Sequence, residues 1–201
     1  MCASRLLTRV KRGNIIDACV DAVCVSANRG LQGPRNKAHW RFVGRKNVEL
    51  AVHEKCGGYI DPLTGVNQKI VQACQRRHPQ GLSVGQAAIT SSFREGDGFK
   101  FVIHACTPWV SEVSESSDRL LIDAYANVLK IAQTTKNIKS VAIPALGSGV
   151  NLVSPEVTAA CAFKALAMFR DAESSANGLQ VEFHLMDQTA HGAFVDVFGE
   201  E

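Results

Sequence analysis

Short apolar runs, each too brief for a buried helix and each followed by a turn or a polar segment, constrain this chain more than any other feature. Ala22-Val23-Cys24-Val25, Phe101-Val102-Ile103 and Val141-Ala142-Ile143 are continuous rather than alternating. A strand reads that way when both faces are covered, because neither side of the pleat meets water. Leu6-Leu7 to Val10 reads as a first strand, and Val181 to Met186, which alternates, as the last. Between the runs, apolar residues recur at helical spacing. Leu121, Ala124, Tyr125, Val128 and Ala132 share one face; Val157, Ala160, Cys161, Lys164, Ala165 and Met168 share another, after a Ser154-Pro155-Glu156 start. Val48, Ala51, Val52 and Lys55 form a third stripe, with Asn47 placed to cap it and Gly57-Gly58 to stop it. Strands alternating with helices predict a largely parallel α/β sheet with helices on both sides. In such sheets ligands sit at the carboxyl ends of the strands.

Bulk properties narrow the function. The 201 residues suit one domain, and 46% apolar with 20% charged residues reads as an ordinary globular protein. No apolar run is long enough to span a bilayer, and the first residues lack a signal peptide's apolar stretch, so no membrane partner is expected. A net charge of +3 permits an anionic ligand but does not argue for a nucleic-acid surface. Arg9, Lys11 and Arg12, the tight basic group near the start, read as a solvated strand end. The seven cysteines are odd in number and contain no C-x-x-C; Cys24, Cys106 and Cys161 sit in apolar segments. That pattern predicts reduced, buried thiols in a cytoplasmic or nuclear protein. The six histidines are scattered, and none stands at a ligand spacing from another His or Cys, so no metal and no cofactor are expected.

The turns carry the chemistry. Gly13-Asn14-Ile15 follows the first strand, Ser26-Ala27-Asn28-Arg29-Gly30-Leu31 the second, and Pro144-Ala145-Leu146-Gly147-Ser148-Gly149-Val150 the Val141 strand. A glycine-rich turn whose N–H groups face inward can cradle a phosphate without a lysine, although Gly-Ser-Gly alone is an ordinary turn. The order of segments is more specific. Asp21-Ala22-Val23-Cys24-Val25-Ser26-Ala27-Asn28 resembles the macrodomain stretch D-A-I-V-N-A-A-N. Asn47 to Gly57 is similar to G-V-D-x-A-I-H-x-A-A-G, and Gly85 to Thr90 to G-x-A-x-x-T. Phe101-Val102-Ile103-His104 resembles Y-V-I-H, and Ile143 to Val150 resembles F-P-A-I-x-T-G-V. The likeness runs in order from about Val10 to Asp187.

This resemblance implies a single macrodomain over residues 1–201, a three-layer α/β/α sandwich with a mixed, mostly parallel central sheet, and a site for ADP-ribose as ligand. By position, Asn14 takes the place of an Asp that binds the adenine amino group, with Ile15 beside it. Ala27 and Asn28 match the residues at the distal ribose. Gly44, Arg45, Lys46, Asn47 and Val48 correspond to a first phosphate loop. Leu146, Gly147, Ser148, Gly149, Val150 and Asn151 correspond to a second. Glu49 occupies the position of an Asp thought to activate water in hydrolytic members, which makes Asn28 and Glu49 the catalytic pair.

The chain also departs from the family pattern. Val25 replaces the first Asn of the doublet, and Asn151 stands where an aromatic often packs on the ligand. Gly44-Arg45-Lys46-Asn47 replaces a glycine run after an extra segment, Gln32 to Val43, with His39, Trp40 and Phe42. Arg45 and Lys46 suit either phosphate or solvent; Trp40 and Phe42 suit a small satellite core better than a cover for the cleft. Glu49 suits either a general base or a residue placed at the positive end of a helix. His104 and Cys106 share a strand face and read as core, as does His53 on its helix, while Asp187 and His191 read as a helix cap. The readings from different classes are a hydrolase that releases ADP-ribose from proteins or from a small derivative, and a non-catalytic reader of ADP-ribosylated proteins. A third is a degenerate module that has lost the nucleotide. A monomer is expected.

Overall fold

The computed structural model describes residues 7–34, 47–109, 115–149, 151–172 and 178–199. Six strands form one sheet: β1 (Leu7–Arg12), β2 (Ala22–Ala27), β3 (Ala87–Ser91), β4 (Phe101–Cys106), β5 (Ser140–Ile143) and β6 (Gln180–Leu185). Their spatial order is β1-β6-β5-β2-β4-β3. All pairings are parallel except β3 with β4, which is antiparallel. Five α-helices accompany them: α1 (Val48–Lys55), α2 (Gln68–Arg77), α3 (Glu115–Thr134), α4 (Pro155–Ala172) and α5 (Gln188–Phe198). A 3-10 turn, Ile15–Asp17, follows β1.

The two faces of the sheet carry separate cores, as the continuous apolar strands require. Ala22, Cys24, Ile103 and Ala105 point to one face, where they meet Leu121, Tyr125 and Val128 of α3, Ala162 and Leu166 of α4, and Phe194 of α5. Val23, Val25, Val102 and Cys106 point to the other, against Val52 of α1, Cys56 just past its end, and Ile70 and Cys74 of α2. Hence the chain leaving β2 turns to one face and the chain leaving neighbouring β5 turns to the opposite face. This is a topological switch point, where an open α/β sheet leaves a crevice at its carboxyl edge.

Two sequence expectations need correction. The inward face of α1 is Glu49, Val52, His53 and Cys56, whereas Lys55 is exposed and Val48 and Ala51 are only partly buried. An apolar count cannot find this face, because two of its four members are ionisable. On α4 the buried side is Thr158, Ala159, Cys161, Ala162, Ala165, Leu166 and Phe169, with Lys164 and Met168 exposed. This helix is wedged among the sheet, α3 and α5, so small residues rather than the longest apolar ones lie inside. His104 is buried in the core as the sequence reading has it, and its Nε2 lies 3.0 Å from Thr90 Oγ1 on β3.

Local devices set the ends of elements. Asn47 caps α1, its Oδ1 accepting from Leu50 N–H at 3.1 Å, and Asp187 caps α5 in the same way through Ala190 N–H at 3.0 Å. Past α1, a Cβ on Gly57 would stand 1.8 Å from Phe93 O, so only glycine fits against that backbone. No helix among the described residues is long and apolar enough to cross a membrane.

Candidate functional site

The carboxyl edge at the switch point is built from two bonded turns. After β2, the Asn28 side chain folds into its own turn: Nδ2 donates to Gly33 O at 2.8 Å and Oδ1 accepts from Gln32 N–H at 3.2 Å. Gly33, at φ +74°, then lies over α1; a Cβ there would be 3.0 Å from His53 Cε1. Asn28 therefore braces the turn, and the turn rests on the helix that carries Glu49.

The second turn follows β5. Tyr125 reaches it from α3 with a fully buried hydroxyl that accepts from Leu146 N–H at 2.9 Å and lies 2.9 Å from Thr158 Oγ1. Thr158 Oγ1 donates to Leu146 O at 2.6 Å. Gly147 N–H reaches Ser26 Oγ at 3.4 Å, joining the two turns across β2 and β5. Asn151 Nδ2 donates to Thr107 O, Thr107 Oγ1 and Pro108 O at 2.8–3.0 Å, so this residue ties the end of β4 to the loop. Gly147 has φ +81°, and a Cβ would press on Val153 Cγ2 at 3.1 Å; among the described residues nothing within 4 Å meets a Cβ at Gly149. Gly147→Ala is expected to cost about 1–2 kcal/mol in a urea melt, from left-handed backbone strain and that contact.

Glu49 sits in the first turn of α1 and faces inward, only 7% exposed. Burial pushes its carboxyl up to about 8. His53, one turn on, and His104, from β4, are also buried, and their rings meet edge-on with centroids 6.3 Å apart. A carboxylate oxygen of Glu49 and a ring nitrogen of each histidine all lie within 4.8 Å of one another. Burial lowers His53 to about 4 and His104 to about 3, so both rings are neutral near pH 7. Residues 49, 53 and 104 are far from one pattern in the sequence; the i, i+4 pair Glu49–His53 was its one visible signal.

At the far end of the sheet, Gly13 N–H donates to Leu185 O at 3.1 Å, which binds the turn after β1 to the end of β6. Asn14 Oδ1 accepts from Ile16 N–H at 3.4 Å, and Ile15 is buried beneath. Ala27 is buried at the end of β2, and Ser148 Oγ donates to Ala145 O at 2.8 Å within its loop. Gly44, Arg45, Lys46 and Val150 lie outside the described residues, as do His39, Trp40 and Phe42. Three structural supports escaped the sequence reading: Ser26, Tyr125 and Thr158. Their role depends on long-range bonds, and no local pattern marks them. So did a cavity of about 210 Å³ lined by Pro108, Trp109, Asp118, Leu121, Leu152 and Val157 among others, because its walls come from separate segments.

The macro domain family model matches residues 36–162, more than half of the chain. The chain belongs to the macro domain family. A macro domain-containing protein of Caldanaerobacter subterraneus is 29% identical over 81% of this chain and 81% of its own length. A protein of Escherichia fergusonii named O-acetyl-ADP-ribose deacetylase is 32% identical over 70% of this chain and 67% of its own. Among solved structures, a variant of the Oceanobacillus iheyensis macrodomain with ADPR superposes with TM-score 0.72 at 21% identity, covering 93% of this chain and 89% of that one. The Trypanosoma brucei macrodomain in complex with ADP gives 0.73 at 16% identity, covering 96% and 69%. The mixed sheet between two helical layers is thus the macro domain fold, in agreement with the sequence reading.

Proposed function

We propose that this macro domain binds ADP-ribose at the edge formed by the Asn28 turn and the Gly147–Asn151 loop. One observation carries the reading: these two turns are tied to each other through Ser26 and Gly147 at the topological switch point. Among the described residues, none stands within 4 Å of a Cβ built on Gly149 there. Backbone N–H groups and the start of a helix suit a diphosphate without a P-loop lysine. The ligand named for the Oceanobacillus neighbour and the activity named for the Escherichia relative agree with it. Titration with ADP-ribose by calorimetry is expected to give one site per chain, with AMP binding much more weakly; no heat and no thermal shift at millimolar ADP-ribose would overturn it.

The activity that fits is hydrolysis of a mono-ADP-ribose linkage, on a protein or a small derivative. In it an ionised Glu49 takes a proton from water as the water oxygen bonds to the carbon of the linkage; that carbon's bond to the leaving group breaks, and the leaving group takes up the proton that Glu49 gives back. A second reading, a reader without chemistry, draws on two observations. The Asn28 amide is already engaged at both ends within its turn, and Glu49 holds its proton at neutral pH. Incubation with a mono-ADP-ribosylated protein separates the two: release of ADP-ribose favours the hydrolase, and tight binding without release the reader.

A further inference from the structure

We propose that Glu49, His53 and His104 form a site for one divalent metal ion of the zinc class. The proposal concerns the protein alone and does not rest on ADP-ribose binding. Glu49 and His53 stand one turn apart on α1 and so project to the same side, while His104 approaches from β4; all three are buried. Among the described residues His53 Nε2 is buried without a hydrogen-bond partner, and the buried Glu49 carboxyl group lies beside it. Buried polar atoms are normally satisfied. A buried ring nitrogen left open beside a buried carboxyl group calls for an occupant, which is a water while Nε2 keeps its proton and a cation once that proton has moved.

The geometry suits a small ion after a modest contraction. Donors at zinc distances stand roughly 3.4 Å apart in a tetrahedral shell. The three donors here lie within 4.8 Å of one another, so each needs to move in by less than about 1 Å. Two imidazoles and one carboxylate favour zinc, cobalt or nickel over magnesium, which prefers oxygen. His104 is held from behind by Thr90 Oγ1 at its Nε2, the outer bond typical of a metal-bound histidine, which leaves Nδ1 for the ion. His53 is less prepared. Its Nδ1 accepts from Asn67 N–H at 3.2 Å, which places the ring proton on Nε2. Coordination through Nε2 requires the other neutral tautomer, with the ring proton moved from Nε2 to Nδ1, and this opens the long Asn67 contact. Loss of one weak hydrogen bond is small against three coordinate bonds. A single ordered water is the competing occupant.

The test uses full-length protein stripped with a chelator, without nucleotide. Titration with Zn²⁺ by calorimetry is expected to show one equivalent, with magnesium failing to compete. Co²⁺ is expected to give the visible bands of a four-coordinate site. Glu49→Gln and His104→Gln should each weaken Zn²⁺ by at least about 100-fold, more than loss of an outer-shell group does. Because these buried variants risk misfolding, long-range ¹H–¹⁵N spectra of the unaltered protein supply the second readout. There Zn²⁺ must shift the His53 and His104 ring nitrogens. Absence of stoichiometric binding, or binding that leaves those two imidazole signals unmoved, overturns the proposal.

Discussion

Gly149→Glu is expected to fold normally and to lose ADP-ribose affinity by at least about 100-fold, roughly 3 kcal/mol. The two halves of this expectation have separate grounds. Among the described residues nothing within 4 Å would meet a Cβ at Gly149, and its backbone is not in the left-handed region, so a side chain finds room beside them in the free protein. The same space is where the proposed diphosphate sits. A carboxylate placed there repels two phosphate charges at short range, and in a partly desolvated cleft that repulsion is not screened away. The contrast with Gly147 sharpens the test. Gly147 carries the positive φ and the tight contact with Val153, so Gly147→Ala should lower stability while Gly149→Glu should not. Calorimetry with ADP-ribose alongside a thermal melt of each variant reads both quantities. Full affinity in Gly149→Glu would move the diphosphate elsewhere.

The sequence made the sheet legible where strands are covered on both faces. The three continuous apolar runs became β2, β4 and β5, and the alternating run near the end became β6, each within a few residues. It missed β3, whose small residues in Ala87–Ser91 carry little signal, and whose antiparallel direction no strand–helix alternation announces. It missed α2, which presents Ile70, Val71 and Cys74 inward among six polar or basic neighbours. The turns of the site were visible because glycine and asparagine mark them. What fixes those turns was not. Tyr125 and Leu146 lie 21 residues apart, and Ser26 and Gly147 lie 121 apart. The Glu49–His53–His104 cluster was hidden for another reason: a helix face with a buried acid and a buried histidine looks exposed to any count of apolar residues.

Glu49→Gln is expected to become more stable and less active, and the combination is diagnostic. The buried carboxyl is pushed up from an ordinary 4.5 to about 8. A raised carboxyl holds its proton in the folded chain while the unfolded chain gives it up above about 4.5. Its stability is therefore whole below about 4.5 and is lost as pH climbs from there to about 8. Glutamine stays neutral and escapes that loss, so the variant should melt later than the parent at pH 8, by an amount on the order of 2–4 kcal/mol. Hydrolysis runs the other way. A general base works only when ionised, so in chelator-stripped protein turnover should rise with pH until it levels above about 8, rather than above 4 to 5. Glu49→Gln should drop turnover by about 10²–10⁴ and flatten that rise, with ADP-ribose affinity little changed. An identical pH profile and rate in the variant would leave Glu49 without a role in the chemistry, and the reader as the function of this macro domain.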